Sequence, residues 1–212
     1  MVTFIIVRHG YSKFNKEGRY TGQMDIPLDE IGMLQAKLNA KFVMQNYRID
    51  AIYSSDLKRA METARPVAEA LHLPIHPEKD LREIDAGSWH GRIIAELKQK
   101  HGEEYYQWMA GTDNRESGDR ESRAELRARS LAAFHRIAET EEGKNVLVVT
   151  HHGVITEIER EWIGPIWTGE KLPGIPNASV SVVWYDEKSR HGEFLLTGYD
   201  AYLEELGGTL IE

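Results

Sequence analysis

The chain has 212 residues, 41% of them hydrophobic and 28% charged, which is the composition of a folded globular domain and not of a disordered chain. Its formal net charge of -8 argues against nucleic acid or an anionic membrane as partner, and the absence of Cys excludes disulfides, thiolate catalysis and cysteine-ligated zinc or iron-sulfur centres. An anionic substrate must then be held by a local positive cluster working against the overall field.

Residues 3 to 7 (Thr-Phe-Ile-Ile-Val) form a short apolar run that reads as a buried strand. The start of the chain runs straight into Arg8 without a basic leader, and no apolar stretch has the length of a membrane span, so a cytoplasmic protein is expected. Residues 30 to 47 place Ile31, Leu34, Leu38, Phe42 and Val43 on one helical face, and residues 50 to 54 read as a second strand. Ser54-Ser55-Asp56 offers N-cap chemistry to a helix running towards Leu71. Pro74 to His76 is the third predicted strand, and residues 80 to 92, with Gly87 and Gly91, form an ordered loop.

Residues 93 to 109 are expected to be helical in part, and the polar stretch from Gly111 to Gly118 is a candidate lid. Leu126, Phe134, Ile137 and Ala138 mark an amphipathic helix over residues 121 to 140, followed by a strand from Val146 to Val149. In the next helix Ile155, Ile158, Trp162 and Ile163 recur at helical spacing and leave Glu157, Glu159 and Glu161 for solvent. Two late strands, 179 to 185 and 193 to 197, flank a turn at Lys188 to Gly192. The alternation predicts a single-domain, three-layer α/β/α sandwich with a mostly parallel central sheet and a small lid insertion. Such sheets bind ligands beyond the carboxyl ends of their strands, where His9 and His151 could meet.

Arg8-His9-Gly10 sits at the first of those ends. Arg offers a planar fork matched to phosphate oxygens, a neutral His is a nucleophile near physiological pH, and the neighbouring positive charge disfavours imidazolium. Alone the tripeptide also reads as a polar turn. Its company is Ser54-Ser55-Asp56-Leu57-Lys58-Arg59-Ala60 with Thr63-Ala64, Leu81-Arg82-Glu83 with Gly87-Ser88-Trp89-His90-Gly91, and Val149-Thr150-His151-His152-Gly153.

Together these segments resemble the histidine phosphatase superfamily, which includes the cofactor-dependent phosphoglycerate mutases, over almost the whole chain from Val7 to Asn177-Ala178-Ser179-Val180-Ser181. The resemblance implies a metal-independent phosphomonoester hydrolase, without a cofactor, in which His9 becomes a phosphohistidine. Arg8, Arg59 and His151 would clamp the oxygens, with Glu83 as general acid and then base and Asp85 as its nearest rival. Asn15, Ser12, Thr21 and Gly22 resemble substrate-binding positions at the phosphate end and lip of the pocket. His152 stands where glycine is common and is a further candidate contact. The absence of an aspartate there, found in the acid phosphatase branch, favours the branch that uses Glu83.

The alternative is phosphotransfer of the phosphoglycerate mutase type. Tyr11, Phe14 and the short region from Trp89 to Gly118 depart from the mutases and favour the hydrolase. A metal-dependent hydrolase would need a tight ligand motif such as His-Glu-x-x-His, which is missing, and a non-catalytic phosphate-binding module would not need the acid. The expected partner is a small phosphorylated substrate, and the expected state a monomer or homodimer. Phosphorylated sugars, glycerate phosphates, nucleotides, a ribazole phosphate and phosphoprotein side chains all remain open as substrates at this point.

Overall fold

The computed structural model describes residues 1–111, 118–164 and 174–206. Strand β1 (Val2–Arg8) lies at the centre, as its continuous apolar run requires. After it come a one-turn helix α1 (Lys13–Lys16), α2 (Glu30–Asn46), β2 (Ala51–Ser54), α3 (Lys58–Leu71) and β3 (Ile75–Pro77). Two short turns of tighter helix, at Lys79–Leu81 and Gly87–Trp89, fill the expected loop. Then follow α4 (Ile94–Ala110), α5 (Arg123–Thr140), β4 (Asn145–Thr150), α6 (His152–Ile163), β5 (Val180–Asp186) and β6 (His191–Tyr199), with a last helical turn at Ala201–Leu206.

The sheet has the order β3-β2-β4-β1-β5-β6. Strands β1, β2, β3 and β4 are parallel, β5 runs against β1, and β6 runs against β5. The expected α/β sandwich with a mostly parallel sheet is thus present. Side-chain alternation sends Phe4, Ile6, Val146 and Val148 to a core shared with α5 and α6, while Ile5, Val7, Leu147 and Val149 meet α2 and α3 on the other face. Register places Val7 opposite Val149 and Arg8 opposite Thr150. The next residues, His9 and His151, therefore leave the same edge of the sheet side by side.

Three expectations are corrected. Helix α2 turns Gly32, Gln35, Ala36, Asn39, Ala40 and Val43 inward, while Ile31 and Leu34 are 37% and 49% exposed. Small residues face the core because α2 presses close to the loop after β1: a Cβ on Gly32 would stand 2.0 Å from the Tyr11 carbonyl oxygen, and one on Gly10 2.8 Å from that of Gly32. The cap of α3 is Leu57, with no side-chain bond of its own. Asp25 accepts from the Lys58 N–H instead, and Ser55 Oγ accepts only from the N–H of Leu57 itself, at 3.4 Å. Finally, Glu157 and Glu159 on α6 are 0% and 3% exposed, and Ile163 is the exposed member at 44%. Glu157 is drawn inward by Arg160, Arg123 and Arg127, which a reading of apolar spacing does not register.

Helix α4 is kinked at Gly102 (φ 41, ψ −110). Of the candidate lid, residues 112–117 lie outside the described residues. No described helix is long and apolar enough to cross a membrane.

Because the atom facing Gly32 is backbone, it cannot swing aside. Gly32→Ala is expected to destabilise the protein by about 1–3 kcal/mol despite alanine's better helix propensity, measured as a lower urea midpoint with an unchanged slope.

Candidate active site

His9 and His151 are both buried, with ring centroids 5.0 Å apart. His9 Nδ1 lies 2.7 Å from the Gly10 carbonyl, so this nitrogen carries the proton and Nε2 keeps its lone pair. That lone pair accepts from Arg59 Nε at 3.2 Å. The two other hydrogen-bonding nitrogens of Arg59 are held by carbonyls, Nη1 by Met24 at 2.8 Å and Nη2 by Gly22 at 2.7 Å. Gly22 can offer that carbonyl because it adopts φ +47, and a Cβ there would collide with the His90 ring at 2.3 Å. Thr21 opens this turn, its carbonyl accepting from the Met24 N–H.

Arg8, beside His9, donates from Nη1 to the Ile175 carbonyl at 2.7 Å. The Gly10 N–H donates to Thr63 Oγ1, whose hydroxyl in turn donates to the Arg59 carbonyl. Behind the loop, the Ala178 N–H reaches the carbonyls of Arg8 and His9, and Asn177 Nδ2 donates to the His9 carbonyl at 3.1 Å. Ala178 holds φ +61, and its own carbonyl accepts from Asn39 Nδ2 and the Tyr202 hydroxyl. The loop carrying His9 is thus pinned from three sides.

His151 Nε2 lies 2.8 Å from Ser55 Oγ, which also accepts from the Leu57 N–H at 3.4 Å at the start of α3. Glu83 stands at the start of α6, where the Gly153 N–H donates to its two oxygens at 3.1 and 3.2 Å. Gly153 permits this approach, since a Cβ there would meet Glu83 Oε1 at 2.1 Å. Asp85, by contrast, accepts from the Gly87 N–H and faces His90 at 3.5 Å, away from α6. Glu83, not Asp85, therefore joins the histidines.

The predicted residues His9, Arg8, Arg59, His151 and Glu83 converge. Ser12 and Asn15 lock each other in a reciprocal cap of α1, with Asn15 Oδ1 accepting from the Ser12 N–H and hydroxyl. His152 is the first residue of α6, and its ring senses Arg8 and Arg123. Sequence reasoning did not find the brace of the Glu83 loop. Arg129 binds the carbonyls of Asp80, Arg82 and Glu83 and is itself held by Glu121, whose carboxylate also accepts from the Asp85 N–H. Neither apolar periodicity nor a motif signals this pairing, because Glu121 precedes α5 while Arg129 lies on it.

Burial, reinforced by the Arg59 charge, pushes the pKa of both His9 and His151 well below the ordinary histidine value. His152 is pushed down to about 3 by burial and then by Arg8 and Arg123. Arg59 is lowered to about 10, chiefly by burial, and stays a cation at neutral pH. The result is a pocket of neutral imidazoles among permanent positive charges. It can accept an anion and offers it a nucleophilic nitrogen.

These histidines bind protons more readily when unfolded. Below about pH 6.5 the unfolded chain gains protons that the folded one refuses, so their contribution is complete above that pH and falls by about 1.4 kcal/mol per pH unit for each histidine as the solution is acidified. Glu159, raised to about 7 by burial, opposes this trend. A comparison of variants isolates one group: between pH 6 and 5, His152→Asn is expected to reduce the slope of unfolding free energy against pH by about 1.4 kcal/mol per unit, read from urea titrations.

A family model, the histidine phosphatase superfamily (branch 1), matches residues 4–195. Phosphoserine phosphatase 1 of Hydrogenobacter thermophilus is 34% identical over 188 residues, 89% of this chain and 89% of the relative. A metal-independent phosphoserine phosphatase of Arabidopsis thaliana is 36% identical over 181 residues, 84% of this chain and 74% of the relative. The solved structure of Bacillus stearothermophilus YhfR superposes with a TM-score of 0.83 at 27% identity, covering 96% of this chain and all (100%) of that one. The chain belongs to branch 1 of the histidine phosphatase superfamily.

Proposed function

We propose that the protein is a metal-independent phosphomonoester hydrolase that works through a phosphohistidine on His9, with Glu83 as acid and base and without a bound cofactor. The observation that carries this reading is the orientation of His9, whose Nδ1 is committed to the Gly10 carbonyl and whose Nε2 lies against Arg59. The phosphoserine phosphatase relatives, one of them named as metal-independent, support phosphatase activity.

In the first half-reaction the Nε2 lone pair attacks phosphorus as the P–O ester bond breaks. Arg59 exchanges the imidazole for a phosphoryl oxygen, and Arg8 and His151 take further oxygens. Charge-assisted bonds of this kind are worth about 1.5–3 kcal/mol each, and those that tighten as charge develops lower the barrier. The leaving oxygen takes its proton from Glu83 acting as general acid.

In the second half-reaction water attacks phosphorus, the P–N bond breaks, and Glu83 takes the proton from the water. Phosphate leaves and His9 returns to its neutral state. No step needs a metal, and two guanidinium groups oppose a cation in the pocket. Asn15, Ser12, Thr21 and Gly22 act through the shape of the lip, by holding the first loop and the Arg59 anchor.

Glu83→Gln is expected to slow hydrolysis of an alkyl phosphate by about 10²–10⁴-fold, the usual reach of general acid catalysis. An aryl phosphate, whose leaving group needs little help, should lose far less from its first step. First-turnover release of the alcohol or phenol, in the presence of a chelator, is the readout. Equal losses on both esters, or loss of activity to the chelator, would contradict the proposal.

A further inference from the structure

Arg59 and Glu83 reach the pocket from separate parts of the chain. Arg59 is held by the carbonyls of Gly22 and Met24, in the turn that follows Thr21, whereas Glu83 is mounted on the loop that Arg129 braces against α5. That brace does not touch the turn. The Gly91 N–H donates to the Tyr20 carbonyl and the Tyr20 N–H to the Arg92 carbonyl, both at 2.8 Å, which brings the two segments together but ends before Gly22.

His90 spans the remaining gap. Its Nε2 lies 3.1 Å from the backbone nitrogen of Gln23 on the turn and 3.1 Å from that of Ala86 on the loop. Two N–H groups that converge on one ring nitrogen are answered only by its lone pair, so Nε2 is unprotonated and the ring proton sits on Nδ1. Gln23 adds a second tie, its side-chain Nε2 donating to the Glu83 carbonyl at 3.1 Å. The ring therefore stands between the anchor of one site residue and the support of another.

The charges around the ring pull in both directions. Asp85 Oδ1, on the same loop, is 3.5 Å from Nε2, and Asp119, which accepts from the Ser88 N–H, also favours the cation. Burial, the largest influence, and Arg59 from α3 favour the neutral ring, and together they hold its pKa below the ordinary histidine value. The lone pair is thus available at neutral pH. A proton on Nε2 would turn the acceptor into a donor, which repels both N–H groups and finds its partner in Asp85.

We propose that His90 is a positioning residue whose Nε2 lone pair clamps the turn holding Arg59 to the loop carrying Glu83, and so sets the acid relative to the phosphoryl-binding charge. The inference rests on the roles of Arg59 and Glu83 given under the proposed function. It adds a pH dependence that belongs to neither of them: acid should loosen the clamp by removing its acceptor.

First-turnover release of alcohol from an alkyl phosphate and of phenol from an aryl phosphate tests this. His90→Leu, which removes the acceptor, is expected to slow the alkyl ester by about 10–100-fold, the scale of a misplaced catalytic group, and the aryl ester by less. His90→Gln, whose amide oxygen falls near the place of Nε2 and does not titrate, should restore the alkyl rate to within about threefold. On acidification from about pH 7 to about pH 5 the unmutated protein should lose alkyl activity more steeply than His90→Gln. Sulfate, a dianion of phosphoryl size, should bind about threefold or more weakly to His90→Leu than to His90→Gln in calorimetry at neutral pH.

An undiminished rate in His90→Leu, equal losses on the two esters, or a His90→Gln protein no better than His90→Leu would overturn the proposal. If His90→Leu fails to fold, the pH profiles decide, and parallel profiles for the unmutated protein and His90→Gln would overturn it. Absence of turnover in the unmutated protein would instead count against the hydrolase reading. Sulfate would then still report whether His90 keeps Arg59 in place, with equal affinities in the two variants overturning the proposal.

Discussion

The site depends on a guanidinium group that is completely buried and yet not neutralised by a hydrogen-bonded carboxylate. Arg59 spends its donors on the carbonyls of Gly22 and Met24 and on His9 Nε2. Neutral acceptors satisfy its hydrogen bonds but leave its charge in a poorly hydrated place, where it acts strongly on what is near. That charge adds to burial in keeping the two imidazoles neutral and makes the pocket attractive to an anion. In a chain with net charge -8 this attraction is local, and the fold has to build it.

Much of the fold serves that construction. Parallel pairing of β1 with β4 brings His9 beside His151, and the start of α3 delivers Arg59 from the adjoining strand end. The close approach of α2 at Gly32 and the bonds from Thr63, Asn177 and Ala178 fix the loop that carries the nucleophile. The opposite wall is set by Arg129 and Glu121, which hold the backbone on which Glu83 is mounted. Stabilising contacts and site contacts are therefore often the same contacts.

The sequence disclosed the strands, their order along the chain and the five converging side chains, because strand-end motifs carry chemistry that apolar runs frame. It did not disclose which face of α2 is buried, since close helix packing favours Gly32, Ala36 and Ala40 over larger apolar residues. Nor did it show that Glu157 turns inward, because its partners Arg123 and Arg127 come from another helix. Ser54-Ser55-Asp56 was legible as cap chemistry, but the contact of Ser55 with His151 was not, because the two lie far apart in sequence. Local propensity and periodicity read well; pairings across long sequence separation did not.

The central claim is that His9 Nε2 forms a bond to phosphorus during turnover. Acid-labile, alkali-stable phosphate on the protein is the chemical mark of a phosphoramidate, so the direct measurement is to quench the enzyme during hydrolysis of a labelled ester and map the label. The account predicts label on His9, accumulating further from an aryl ester when Glu83→Gln slows the attack by water. Label on another residue, or none on His9 in either protein while phosphate is still released, would contradict it.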